Sequence, residues 1–363
     1  MDRAIGFSIN KVKKGMTIFT DCFPEEQSKD YVYQPIKDKY SWTEGFWTGM
    51  LWLAYEFTGE ECFKELAGSQ ILLFEKRLIN KEYIDHHDMG FLFSLSCVAA
   101  YKITGNKKAR DTAVLAADTL LGRFREKGEF IQAWGEIDVP DNYRLIIDCL
   151  LNIPLLFWAT EETGDKKYEV VARKHLKTAI ATVIRDDFTT YHTYYFDTET
   201  GKPSHGVTHQ GYSNDSCWAR GQAWGVYGLA LAYAYTEDES LIPLFNGVTE
   251  CFLSKLPEDN VPYWDMIFTS GDEPRDTSAA AIAACGILEM NKYVKNDKFM
   301  LKCEEMLKSL EENYFTENFS NGILTDGMYS KPHGDKPECN IWGDYFYMEA
   351  LMRMKKPDWK MYW

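Results

Sequence analysis

Two aspartates stand where ionised groups are costly. Asp88 ends the triplet His86-His87-Asp88 in YIDHHDMGFLF (residues 83–93), directly ahead of an apolar run. Asp148 interrupts RLIIDCLLNIPLLFW (144–158), flanked by Ile146, Ile147, Cys149 and Leu150. A carboxyl drawn out of water beside a second carboxylate has its pKa raised. It then becomes a usable proton donor near neutral pH, which is why paired carboxylates suit glycan cleavage. Each residue also has a purely structural account. Asp is a favoured N-cap, and an i,i+4 pair with Arg144 on a helix face would explain Asp148.

A metal centre is not expected. His86, His87 and Asp88 are consecutive, so a regular backbone cannot turn all three to one ion. His205 and His209 have helical zinc spacing, but they lie in a Gly-rich loop without the glutamate of H-E-x-x-H. No cofactor is expected either, because the phosphate-binding and dinucleotide-binding glycine motifs are absent, as is a serine nucleophile elbow.

The densest stretch is HQGYSNDSCWARGQAWGVYGLALAYAY (209–235), with Arg220 between Trp218 and Trp224, Gln210 upstream and Gln222 beside it. An arginine in an aromatic pocket suits a carboxylate-bearing sugar, offering bidentate pairing and a stacking surface. An arginine that merely holds a loop together would leave the same pattern.

The elements that must position these groups repeat along the chain. WLAYEFTGEE (52–61), VAAYKITGNK (98–107) and LFWATEETGDK (156–166) each end an apolar helix in T-G and restart with charge. Gly59, Gly105 and Gly164 suit the left-handed position after a helix. Looser echoes follow at 229–240, 287–298 and 349–359, giving six helical hairpins at intervals of roughly 45 to 75 residues. Within each, an apolar helix must be buried and an amphipathic one, such as 60–79 or 298–314, must cover it. With an N-terminal helix near 2–13, the expected fold is all-α: an (α/α)6 barrel of six inner and six outer helices in one domain, 1–363.

Long links enter the inner helices at 31–45, 129–142, 189–218, 260–276 and 324–344, so the loops, and the site, gather at one end. A short β-hairpin is expected around YHTYYFDTETGKPSH (191–205). Asp148 is expected inside an inner helix, facing the lumen, with Pro154 bending that helix further on.

Composition narrows the partners. The formal net charge of −15 disfavours nucleic acid and anionic membranes. No signal peptide or membrane-length apolar run is evident. Nine scattered cysteines without C-x-x-C fit free thiols in a reducing compartment, so a cytoplasmic location is expected. Aromatics reach 15%, including 11 Trp, enough to wall a sugar site as well as fill a core.

SWTEGFWTGMLWLAYE (41–56), HHDMGF (86–91), RLIIDCLLNIPLLFW (144–158), WARGQAWGVYGLA (218–230) and IWGDYFYMEALMRM (341–354) together resemble the unsaturated glucuronyl hydrolases, glycoside hydrolase family 88. The related unsaturated rhamnogalacturonyl hydrolases of family 105 fit less well, because Gln222-Ala223 replaces the asparagine expected after the Arg-Gly pair. The resemblance implies a lyase-generated, anionic unsaturated oligosaccharide as substrate; a monomer or homodimer is expected. It implies protonation of C4 of the 4,5-unsaturated uronate and addition of water at C5.

By this likeness Asp148 donates the proton and activates water, while Asp88 binds ring hydroxyls and keeps the pKa of Asp148 high. His192, Gln210 and Arg220 orient the uronate, His87 supports the pocket, and Trp42, Trp134, Trp218 and Trp224 wall the sugar. Ser330 and Lys331, with His333, are candidate sulfate contacts. Two rival readings stay open: an ordinary glycosidase on saturated sugars, and a non-catalytic glycan-binding protein.

Overall fold

The computed structural model describes residues 1–36 and 39–363, so residues 37 and 38 of the 31–45 link lie outside the described residues. The chain is mostly helical. Its first half holds α1 (Asp2–Met16), α2 (Glu44–Thr58), α3 (Glu61–Ile79), α4 (Met89–Phe93), α5 (Ala99–Thr104) and α6 (Lys107–Leu121). There follow α7 (Cys149–Asn152), α8 (Pro154–Thr163), α9 (Lys167–Val183), α10 (Ala219–Thr236), α11 (Leu241–Ser254), α12 (Thr277–Met290), α13 (Asp297–Asn313) and α14 (Ile341–Lys355). A π-helical turn, Ser94–Val98, joins α4 to α5.

The T-G echoes end helices as their chemistry requires. Gly59, Gly105 and Gly164 take φ of 71°, 72° and 76°, the left-handed region where a Cβ is penalised. Burial follows the apolar pattern. Every residue of α12, and α10 from Ala219 to Ala232, is buried. α13 instead buries Phe299, Cys303, Met306, Leu307 and Leu310, one stripe at helical spacing. Buried helices pack on the amphipathic ones that follow them, as α2 does on α3, α8 on α9, α10 on α11 and α12 on α13. The buried helices also touch in sequence, from α2 to α4, α7, α10, α12 and α14, and α14 packs back on α2.

One segment departs from expectation. Residues 144–148 are not helical: Arg144–Ile146 form a strand that pairs antiparallel with Thr193–Phe196, which in turn pairs with Pro203–Val207. The hairpin foreseen around 191–205 is present, and a third strand joins it. β-branched Ile146 and Ile147 favour the pleated conformation once a partner is available. Helix therefore begins only at Cys149, and Pro154 starts α8 rather than bending a longer helix.

The links are tied together by single bridges, His86 to Trp134, Trp218 to Asp265 and Gln27 to Asn340. One close approach matters to the site. A Cβ at Gly90 would meet Asn152 Cα at 2.5 Å and its carbonyl oxygen at 2.8 Å, so α4 and α7 touch backbone to backbone there. Gly90→Ala is expected to cost about 1–3 kcal/mol and to lower turnover, because it pushes Asn152 away from Asp88. Thermal unfolding and steady-state kinetics check this; an unchanged Tm would show that the helices separate freely.

Candidate active site

Asp88 occupies the N-terminal boundary of α4, but its carboxylate makes no capping bond. The cap account is thereby set aside. Its oxygens meet side chains instead. His86 Nε2 faces the Tyr83 carbonyl at 3.0 Å and so must carry the proton. His86 Nδ1 is then a lone pair, which accepts the Asp88 backbone N–H at 3.1 Å and lies 3.3 Å from Asp88 Oδ2. An acceptor beside a carboxylate oxygen disfavours the ionised form. Trp134 stacks on His86 at 4.7 Å and holds this arrangement flat.

Asp148 stands at the N-terminal boundary of α7, at the strand-to-helix junction. It is not mid-helix, and Arg144 does not pair with it: that guanidinium bonds the Asp141 carbonyl and Asn142. His87 joins the two aspartates, its Nε2 lying 3.4 Å from Asp88 Oδ1 and 3.3 Å from Asp148 Oδ1. Asn152 completes the group. Its Oδ1 accepts Phe91 N–H at 3.0 Å, which turns Nδ2 toward Asp88 Oδ1 at 3.5 Å and the Asp148 carbonyl at 3.2 Å.

The two carboxyls differ in access. Asp88 keeps 2% of its side-chain surface and Asp148 keeps 20%, so only Asp148 opens substantially on the cavity. Burial pushes Asp88 up to about 8. Burial, and then the nearby Asp88, push Asp148 well above the ordinary carboxylate range. Burial holds His87 far below its ordinary value, and His86 adds to this, so the imidazole is neutral.

The cavity measures about 270 Å³, slightly under the ~300–1,000 Å³ typical of drug-sized ligands. That suits one sugar ring with little to spare. Of the residues expected at the pocket, Trp42, Trp134, Trp218 and Trp224 line it with both aspartates. His192, Gln210 and Arg220 line it too, whereas His87 does not. Glu26, Tyr83, Ile146 and Tyr329 also line it and were not foreseen. Ser330 and Lys331 do not.

Arg220 departs from the expected free fork. It donates to Asp276 Oδ2, the Met328 carbonyl and Gln210 Oε1 at 2.7 Å each, and to the Tyr329 carbonyl at 2.6 Å. Those bonds use all four terminal N–H groups, so no in-plane bidentate site remains for a ligand. Its faces lie 4.4 Å from Trp218 and 5.1 Å from Trp342. Arg220 thus serves as a buried positive wall that also fixes the 328–329 backbone and Gln210. Since Gln210 accepts through Oε1, its amide N–H groups remain available to the cavity.

Asp276 and Asn152 were missed for different reasons. Asn152 is four residues after Asp148, a spacing that could have drawn attention on any helical reading. Asp276 lies 56 residues from Arg220 with no local signal. Ser330 Oγ and His333 Nδ1 share a hydrogen bond at 2.6 Å, and Lys331 pairs with Glu273. One donor atom each from His87, Asp88 and Asp148 lie within 4.8 Å of one another, the one such cluster among the described residues that could hold a metal.

Comparison with known proteins points in one direction. Residues 16–357 match Glycosyl Hydrolase Family 88. The chain is 51% identical to the unsaturated chondroitin disaccharide hydrolase of Streptococcus pneumoniae, over 99% of this chain and 93% of that one. It superposes on the unsaturated glucuronyl hydrolase of Streptococcus agalactiae with a TM-score of 0.95 at 48% identity, covering 100% of this chain and 94% of that one. A variant of that enzyme complexed with dGlcA-GalNAc6S superposes with a TM-score of 0.88 at 44% identity, covering 100% and 93%.

Proposed function

The chain belongs to glycosyl hydrolase family 88, and from that premise we propose that it releases the 4,5-unsaturated uronic acid from the non-reducing end of lyase-generated glycosaminoglycan disaccharides, chondroitin disaccharides first among them. The observation that carries this reading is Asp148, a carboxyl that opens on a sugar-sized cavity and is backed by a buried second carboxyl. The chondroitin preference rests on the relatives' activity.

Asp148 gives its proton to C4 of the enol ether, leaving an oxocarbenium at C5 and the ring oxygen. Water adds at C5 and returns a proton to Asp148, which is thereby restored. The C5 hemiketal opens to a ketone, and the hemiacetal left at C1 expels the aglycone sugar. Net, one water is consumed. Asn152 fixes the backbone of the proton donor through the Asp148 carbonyl and Asp88 raises its pKa, with His87 packed beside both, while the positive Arg220 and the Gln210 amide face the uronate carboxylate. Trp42 and Trp224 supply apolar walls for the ring.

An ordinary glycosidase needs its two carboxyls about 5–5.5 or 6.5–9.5 Å apart, flanking the bond. Here the facing oxygens of the two carboxyls lie within 4.8 Å of one another, on one side of the cavity, and Asp88 is nearly closed to it. That arrangement favours the hydration route. We further read the closed run of buried helices as an (α/α)6 barrel, and residues 1–363 as one catalytic domain. It would work as a monomer or homodimer in the cytoplasm, where the nine free cysteines would remain reduced.

Ultraviolet absorbance of unsaturated chondroitin disaccharide tests the reading: it should disappear with this protein. Persistence there and with unsaturated rhamnogalacturonan fragments would reject it. Lys331 follows Tyr329 of the cavity by two residues and rests near Trp264, at 5.5 Å. Lys331→Ala is expected to lower the sulfated-to-unsulfated rate ratio several-fold, on the order of one charge-assisted contact. Equal ratios in the two proteins would remove Lys331 from any sulfate role.

A further inference from the structure

Proton transfer from Asp148 accounts for one carboxyl and a neighbour that tunes it, but not for an imidazole left without hydrogen bonds. His87 is fully buried, and neither ring nitrogen has a partner. Asp88 Oδ2 and Asp148 Oδ1 are buried without partners as well. Unsatisfied polar atoms in a native interior are uncommon and call for a reason.

Their geometry supplies one. Two ligands of a tetrahedral zinc ion, each about 2.0–2.1 Å from the metal, stand about 3.3 Å apart. His87 Nε2 lies 3.4 Å from the Asp88 oxygen and 3.3 Å from the Asp148 oxygen, and the two oxygens lie within 4.8 Å of each other, a gap that a modest turn of either carboxyl closes. One nitrogen and two carboxylate oxygens make a donor set that zinc accepts, and two carboxylates neutralise a dication in a dry site. Of the guanidiniums that would repel it, Arg77, Arg123 and Arg220 are each paired with a carboxylate, Glu44, Asp85 and Asp276, whereas Arg144 is turned to the Asp141 carbonyl and Asn142. Asp148, partly open to the cavity, provides the way in and leaves the fourth position toward solvent.

From this geometry we propose that His87, Asp88 and Asp148 form an inhibitory site for a first-row divalent cation of the zinc class, which binds in competition with the sugar. Binding displaces the carboxyl protons to solvent. The metal-held Asp148 then has no proton to give, and the ion occupies the space next to C4. The binding itself is independent of the proposed reaction; only the inhibition rests on it.

Calorimetric titration with Zn²⁺ alone decides the site, with Co²⁺ absorption as a report on nitrogen and oxygen ligation. Wild type should bind one equivalent at this site. His87→Gln and Asp88→Asn should each weaken it by roughly tenfold or more, and the exposed His205→Ala should not change it. Asp88→Asn is close to isosteric, so it keeps the test decisive if His87→Gln fails to fold. With unsaturated chondroitin disaccharide, Zn²⁺ should raise KM without lowering kcat, and a chelator should reverse the effect. Equal affinity and stoichiometry in wild type and both variants would overturn the proposal, as would inhibition that lowers kcat alone. If the disaccharide is not cleaved at all, the reaction reading fails while the titration still settles the metal site.

Discussion

Asp148→Asn is expected to lower kcat/KM on unsaturated chondroitin disaccharide by roughly 10²- to 10⁴-fold, the range lost with a positioned proton donor. Asparagine has the same shape and no proton to transfer, so binding should change little and the loss should fall on kcat. Ultraviolet absorbance followed with equal concentrations of both proteins makes the comparison direct. Retention of a tenth of the activity would sink the assignment.

The same residue fixes the pH dependence. Asp148 acts in its protonated form, and burial together with Asp88 holds its pKa well above the ordinary range. Activity should therefore be sustained at neutral pH and fall as pH rises through that raised value. Asp88→Asn removes the neighbouring carboxylate that raises it, so the alkaline limb should move to lower pH. A limb that stays in place would mean that Asp88 does not tune Asp148.

Arg353→Met is expected to cost about 3–5 kcal/mol of stability, the scale for breaking a buried ion pair from one side. That is a large part of the ~5–15 kcal/mol by which domains are stable. Arg353 is buried between Glu289 and Glu349, bonding the latter at 2.8 Å and donating to Tyr227 Oη at 2.6 Å. Glu349 also accepts Trp363 Nε1 at 3.0 Å, so the network ties α10, α12 and α14 together at the centre. Methionine fills comparable volume but leaves two buried carboxylates to share Lys292, Tyr227 and Trp363.

The sign of the pH effect distinguishes this from lost packing. Burial opposes the ionised Glu289, yet Arg353 and Lys292 outweigh it and hold its carboxyl below the ordinary range. In wild type this group's contribution is present above its unfolded pKa and lost as pH falls through the lowered one. Without Arg353 burial prevails and the carboxyl is pushed up, so acid should relieve the strain. Thermal melts should thus show a smaller deficit near pH 5 than near pH 7.5. An equal deficit at both would indicate packing alone.

Much of the architecture was legible because helices are written locally. A stripe at 3.6-residue spacing, or an unbroken apolar run with a glycine at its end, specifies a helix, its burial and its stop within one segment. That is why α2, α8 and α10 lie where the T-G echoes and small-residue runs put them. The pairing of Asp88 with Asp148 was legible only as two costly carboxyls in apolar surroundings.

Tertiary contacts decided the rest. Arg144–Ile146 became strand rather than helix because Thr193–Phe196, distant in the chain, offers it hydrogen bonds. Arg220 lost its free fork to Asp276 and to two carbonyls more than a hundred residues away. The position of His87 Nε2 between two carboxylates depends on where α4 and α7 meet, which Gly90 permits and no local pattern announces. The sequence by itself determined which groups would be driven from water and which segments would coil, because both follow from nearest neighbours. Which buried charge meets which is a matter of packing, since a partner is chosen by position in space and the chain carries no local mark of it.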